Sequence, residues 1–281
     1  LGDLYESLCR QTSKDFLWLI IDDGSTDETK SLVEKWQKED KIAITYFYKE
    51  NGGMHSGYNA AYDLIETELN MCMDSDDYCT DHAVASILNH WKIFGSDKFA
   101  GIFALDSLKN GKVIGDQFPP ELTETTIGEF YWIHHLKGDK KLIYRTEVIK
   151  KYGKYPEFDG EKFVPIFCIP FMIDRDYKML TLNEVICVVE YREDGSTKNI
   201  LQSYFKNPKG FNYSRKIRMM YSPSFKDRFR NAIHYVSGSI IAKNKRFIAE
   251  SPKKILTLVT LPFGVLLYVY LNFKLNKKSK I

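Results

Sequence analysis

Between Phe16 and Met73 the chain alternates apolar runs with helical patterns, and each run stops at a polar turn. Phe16-Leu17-Trp18-Leu19-Ile20-Ile21 is continuously apolar, the pattern of a strand buried on both faces. It ends at Asp22-Asp23-Gly24-Ser25. Leu32, Val33 and Trp36 then recur at helical spacing, with Ser25 or Thr26 as the expected cap. Ile42–Phe47 is a second strand, closed by Asn51-Gly52-Gly53. A helix is expected over 56–66, then a short strand over Leu69–Met73 that runs into Asp74. Such alternation predicts a parallel, doubly wound sheet, whose ligands bind beyond the carboxyl ends of the strands. Both acidic clusters, Asp22-Asp23 and Asp74–Asp77, sit at those ends.

Further along, the pattern predicts a helix over 83–94, strands over 99–105, 142–144 and 181–191, and a short helix over 147–152. Residues 198–249 read as helical and basic. Ile255–Phe273 is almost wholly apolar, flanked by Lys253-Lys254 and by Lys274, Lys277, Lys278 and Lys280, with Pro262 and Gly264 inside it. At about 19 residues it approaches bilayer length, so it spans, re-enters or lies in the interface; a buried C-terminal helix is the alternative. Hydrophobic residues make up 44% of the chain, enough for an ordinary core. The net charge is only +3, so no nucleic-acid partner is expected. Five cysteines without a C-x-x-C pair argue against a disulfide framework or structural zinc.

A strand-end Asp74-x-Asp76 points two carboxylates toward one pocket, because residues i and i+2 share a face. Carboxylates repel a diphosphate, but they hold the Mg²⁺ or Mn²⁺ that binds one. Asp76 is the first candidate ligand; Asp77 and Asp74 follow. A solvated acidic turn is the bland alternative for this cluster, and a helix-capping turn for Asp22–Asp27.

Together, Asp22-Asp23-Gly24-Ser25-Thr26-Asp27, Glu50-Asn51-Gly52-Gly53 with Asn59 downstream, and Met73-Asp74-Ser75-Asp76-Asp77 resemble family 2 glycosyltransferases of the GT-A fold. The match runs over about residues 1–105 and more loosely to about 200. The resemblance implies an α/β architecture: a Rossmann-like, mostly parallel sheet flanked by helices, with a C-terminal helical extension. Together with the residue patterns beyond 200, it divides the chain into a GT-A domain (1–200), a basic helical extension (201–251) and an apolar, lysine-flanked membrane-associating segment (252–281). It implies a nucleotide-sugar donor contacted by Asp22, Asp23, Asn51, Gly52, Gly53, Asn59, Asp74, Ser75 and Asp76, and Mn²⁺ or Mg²⁺ held by Asp76, Asp74 and Asp77. The family's opening strand has no counterpart after Leu1, so about 15–20 residues are expected ahead of it. His55 reads as a surface histidine, or one behind the contact layer, rather than a ligand.

Inverting transfer needs a carboxylate to take the acceptor's proton. In Glu157-Phe158-Asp159-Gly160-Glu161, Glu161 is the first candidate and Asp159 the second. Where similar sequences carry a further acid, this one has Ile166. Lys140 is a candidate phosphate contact, His134-His135 reads as one buried and one exposed histidine, and Arg192 in the 191–197 segment is placed near the diphosphate. The expected activity is metal-dependent sugar transfer to a glycan or lipid-linked acceptor in surface polysaccharide or capsule synthesis, at the cytoplasmic face of the cell membrane. A catalytically impaired nucleotide-sugar-binding scaffold is the alternative. A nucleotidyltransferase is a third, less favoured for want of a glycine-rich basic loop near the N-terminus.

Overall fold

The computed structural model describes residues 1–190 and 199–278. In chain order the elements are α1 (Gly2–Cys9), β1 (Trp18–Asp22), α2 (Thr29–Glu39), β2 (Ile44–Tyr48), α3 (Met54–Leu64), β3 (Leu69–Met71), β4 (Tyr78–Cys79), α4 (Ala83–Phe94), β5 (Phe99–Leu108), β6 (Glu124–Thr125), α5 (Ile127–Trp132), β7 (Lys140–Arg145), α6 (Thr146–Lys151), α7 (Cys168–Ile173), β8 (Lys178–Val189), α8 (Ile200–Lys206), α9 (Pro208–Tyr221), α10 (Phe225–Ile241), α11 (Lys254–Val259) and α12 (Leu261–Lys278). Two compact units emerge. The first comprises Leu1–Gly52, Gly57–Gly153 and Asp176–Tyr191; the second comprises Gly53–Ser56, Lys154–Arg175 and Arg192–Ile281.

The first unit is a mixed α/β body. β1 and β2 form a parallel pair, in register from Trp18 opposite Ile44 to Asp22 opposite Tyr48. A second sheet runs β3-β7-β5-β8-β4, with β6 on β8. Among the described residues no ladder joins the two sheets. The pairing corrects the expectation of a mostly parallel sheet. Among the described residues of the larger sheet β5–β8 is parallel, and β3–β7, β5–β7, β4–β8 and β6–β8 are antiparallel. After α4 the regular strand–helix repeat gives way to long loops and short helices, and the larger sheet is mixed. β5 is buried along nearly its whole length, as its apolar run requires. Tyr5 of α1 stacks on Trp36 of α2, ring centroids 4.3 Å apart, in the core that Ile20, Ile102, Ile143 and Leu182 fill from the strands.

In the second unit α9 packs on α10 around Met219, Ala232 and Tyr235. Arg218 forks onto Asp227 at 2.6 and 3.2 Å, closing the turn between the two helices. The expected apolar C-terminal run is two helices, parted at Thr260. The break falls just ahead of Pro262, which takes the second position of α12, where its missing N–H leaves no intrahelical bond unmade. No described helix is long and apolar enough to cross a membrane.

Candidate functional site

β1 delivers Asp22 and Asp23 to a turn, and the two carboxylates take different jobs. Asp22 is only 4% exposed. Its oxygens accept from Ser25 N at 2.7 Å and from the Tyr46 hydroxyl at 2.5 Å. Burial alone raises its pKa, but these bonds outweigh it and hold the carboxyl below its ordinary value. The Tyr46 phenol is pushed up to about 12 by burial and by this same bond. Asp22 is thus a buried peg of the turn. Ser25 serves that turn too; the N-cap of α2 is Glu28, without a side-chain cap bond, and Asp27 just before it accepts from Thr29 N at 3.1 Å.

Asp23 ties the end of β1 to the loop after β2. Its Oδ1 accepts from Lys49 Nζ at 2.7 Å and from Gly52 N at 2.9 Å, while Asn51 Nδ2 donates to its backbone oxygen at 2.8 Å. Gly24 stands at φ +83°, and a Cβ there would lie 2.7 Å from Asn51 N. Only glycine allows that approach. Asp23, Asn51 and Gly52 therefore form one constructed edge. Gly53 belongs to the second unit, at φ +89°, where a Cβ would strike the carbonyl of Lys162. Asn59 is buried on α3. His55 is 1% exposed, which removes the surface reading.

The Asp74–Asp77 turn divides in the same way. Asp74 and Ser75 are exposed and Asp76 is half-buried. Asp77 is buried at 5% exposure; its oxygens accept from Glu190 N at 3.2 Å and from the Cys187 thiol at 3.8 Å. Burial raises its pKa against the opposing charge of Lys141. Asp77, expected as a metal ligand, is held inside the turn by these bonds. Among the described residues no group of three or more His, Cys, Asp or Glu is gathered as a metal cage. Asp74 is left exposed and Asp76 partly so. Two carboxylates fit a divalent cation that draws its other oxygens from a diphosphate.

Beneath the turn lies a charged layer that sequence reasoning missed. Lys141 on β7 sits opposite Ala104 of β5, and Asp106, two residues on along the same face, sits opposite Cys187 of β8. Asp106 is 3% exposed, its Oδ1 has no hydrogen-bond partner among the described residues, and burial lifts its pKa to about 6. Burial opposes the Lys141 ammonium, but Cys187, Asp106, Asp77 and Asp74 together raise its pKa. The available signal was a charge interrupting a buried apolar strand, as Asp106 does after Phe103-Ala104-Leu105. Lys140, the expected phosphate contact, turns inward instead and donates to the Ile114 carbonyl at 2.8 Å. Both His134 and His135 are exposed, where one was expected buried. Arg192 and the 191–197 segment lie outside the described residues.

The candidate bases belong to the second unit. Both oxygens of Glu161 accept from backbone N–H groups of the first turn of α9, Lys209 at 3.0 Å and Gly210 at 2.9 Å. The carboxylate is a helix cap supplied from outside the helix. Asp159, in the preceding turn, is exposed. Ile166 is half-buried, and its carbonyl accepts from the Tyr155 hydroxyl at 2.6 Å.

Residues 1–153 match the model of glycosyl transferase family 2. The chain belongs to that family. This family 2 glycosyltransferase is 29% identical over 162 residues to the poly(ribitol-phosphate) beta-N-acetylglucosaminyltransferase TarS of Staphylococcus aureus, covering 55% of this chain and 27% of that protein. It is 22% identical over 163 residues to an uncharacterized glycosyltransferase of Methanocaldococcus jannaschii, covering 56% of this chain and 54% of that one. The matched stretch thus spans about half the length of these curated relatives or less. Among solved structures, S. aureus TarS 1-349 in complex with UDP-GlcNAc superposes with a TM-score of 0.60 at 18% identity, over 99% of this chain and 88% of that one. The fold is GT-A.

Proposed function

We propose that this family 2 glycosyltransferase moves a sugar, with inversion, from a uridine-diphosphate sugar to a hydroxyl of a surface glycan or polyol-phosphate polymer. The observation that carries the reading is the division of labour at the two strand ends. At each, one carboxylate is sunk to fix the turn, and its neighbours are left on the edge where a ligand of a GT-A sheet would bind. The relatives support the donor class: TarS is a poly(ribitol-phosphate) beta-N-acetylglucosaminyltransferase, and one of its solved structures is a complex with UDP-GlcNAc.

In this reading Asp23, Asn51 and Gly52 present a shaped edge to the nucleoside. Asp74 and Asp76 are the residues that would hold Mn²⁺ or Mg²⁺; when bound, the ion supplies Lewis-acid stabilisation of the departing diphosphate. Asp77, from beneath, keeps the turn in place. A carboxylate takes the acceptor's proton. Asp159 is the base to test first, because both Glu161 oxygens already accept from α9.

Transfer of a labelled sugar from a UDP-sugar in the presence of Mn²⁺ tests the proposal. Asp76→Asn is expected to cut turnover about a hundred-fold or more (about 3 kcal/mol of transition-state stabilisation) with the melting temperature unchanged. Undiminished transfer by this variant would sink the role. A second reading has two observations in its favour: Glu161 is occupied as a cap, and Ile166 stands where an acid was expected. By that reading the chain binds nucleotide sugars without turning them over. Calorimetric donor binding with no product in the presence of candidate acceptors would select it.

A further inference from the structure

The C-terminal helices are built with their large apolar residues outward. On α11, Thr257 is fully buried, as is Thr260 at the break, while Ile255 is 81% exposed and Leu258 stands out beside it. The buried hydroxyls are satisfied locally: Thr257 Oγ1 meets Ser251 Oγ at 2.6 Å, and Thr260 Oγ1 donates to the Leu256 carbonyl at 2.9 Å. On α12 the inward residue is Gly264, where a Cβ would lie 2.4 Å from Val236 Cβ of α10. Phe263, Leu266, Val269 and Phe273 face out. A helix packed on a water-soluble body does the reverse. Scattered exposed apolar residues are ordinary, but a continuous apolar face marks a binding surface.

The face is framed by positive charge. Lys253 and Lys254 are exposed at one end, Lys274 and Lys277 at the other. Residues 252–281 contain no Asp or Glu. Where α11 meets the start of α10, a groove of ≈ 770 Å³ is lined by Phe225, Phe229 and Leu256 together with Arg228, Lys253 and Lys254. Arg228 Nε is buried there without a hydrogen-bond partner among the described residues. A buried guanidinium nitrogen left unpaired is costly, and an anionic oxygen would satisfy it.

We infer that α11 and α12 lie flat on an anionic lipid bilayer, with their apolar face among the acyl chains and a lipid phosphate at Arg228, Lys253 and Lys254 in the groove. Three observations choose this occupant. No described helix can cross a membrane, and α12 carries lysines in its last turns, so the apolar face enters from the side. A second copy of the face would bring lysines against lysines with no carboxylate in the segment to meet them. An uncharged apolar partner would leave Arg228 Nε unpaired. The inference is independent of glycosyl transfer and stands or falls apart from it.

The full chain is sedimented with phosphatidylcholine vesicles, with and without phosphatidylglycerol. Binding is expected with phosphatidylglycerol and is weakened by salt. Lys253→Ala with Lys254→Ala should cut the partition coefficient about thirty-fold, from ~1 kcal/mol per surface lysine. Both lysines are exposed, so the thermal melt should not move. Arg228→Gln should weaken binding further and abolish part of the preference for phosphatidylglycerol. Leu266→Ser with Phe273→Ser should cut binding at least ten-fold at unchanged lysine content. Equal binding to both vesicle types, or none, overturns the inference. So does a stable dimer in light scattering that Leu266→Ser dissociates, because a second copy then covers the face. An Arg228→Gln variant that partitions like wild type removes the headgroup from the groove.

Discussion

Asp106 is a carboxylate on a buried strand, and its environment sets a pH dependence that can be read from outside. Burial lifts its pKa from 3.8 to about 6. The sign follows from linkage. Between about pH 4 and pH 6 the native state binds more protons than the unfolded chain, so stability falls as pH rises through that window. Two pKa units correspond to about 3 kcal/mol, an upper figure. Asp106→Asn has no such titration. Its melting temperature, measured against wild type, should gain steadily from pH 4 to pH 7 and then level off. Parallel curves for the two proteins would show that folding does not raise the pKa of Asp106. The residues at strand ends were legible in the sequence, because Asp22-Asp23, Asn51-Gly52 and Asp74–Asp77 follow apolar runs. The roles within each cluster were not. Asp22 and Asp77 face inward because of partners such as Tyr46 and Cys187, which come from other strands. Lys141 and Asp106 meet only through the β5–β7–β8 pairing, which no local pattern encodes.

At the scale of elements, α9 shows how a residue chosen for catalysis can be needed for a helix instead. Asn207 occupies the N-cap, but its side chain makes no cap bond; its carbonyl oxygen accepts from Lys162 N at 2.8 Å. Pro208 at the first position has no N–H to satisfy. The open N–H groups of Lys209 and Gly210 therefore fall to Glu161. Glu161→Ala should cost about 1–2 kcal/mol of stability, the worth of a cap with a favourable charge at a helix N-terminus. Glu161→Gln keeps an acceptor and should cost less. Chemical denaturation with parallel transfer assays separates the roles. A Gln variant that unfolds like wild type but loses a hundred-fold or more in kcat would restore Glu161 as the base. Element positions were largely legible: α4 spans the expected 83–94, and the three early strands fall within two residues of expectation at most of their ends. Strand direction was not, because β7 enters between β3 and β5 from far along the chain. The helix break at Thr260 rather than at Pro262 reflects the tolerance of a helix's first turn for proline.

Across the whole molecule, charge and binding are unevenly spread. Residues 201–281 hold 17 of the 40 Lys and Arg but only 2 of the 37 Asp and Glu, so a modest net charge hides a basic C-terminal segment behind an acidic remainder. The acidic clusters and the basic helices fall in different units. A donor that binds the folded chain alone stabilises it by RT ln(1 + [L]/Kd), about 2.7 kcal/mol at a hundred times Kd. With an unfolding entropy of about 2.1 cal/mol/K per residue, that energy raises the melting temperature of the 281-residue chain by about 5 °C if it unfolds as one. If the unit holding both acidic clusters melts by itself, the same energy is spread over fewer residues. The shift is then larger and confined to one transition. A thermal panel of UDP-, GDP- and CMP-sugars, each with and without Mn²⁺, reads both quantities together. A UDP-sugar should give the largest shift, and the shift should shrink without Mn²⁺ or in Asp76→Asn. A shift of equal size with and without the metal would mean that the donor is held by the Asp23–Asn51–Gly52 edge alone, with Asp74 and Asp76 contributing no ion-mediated contact.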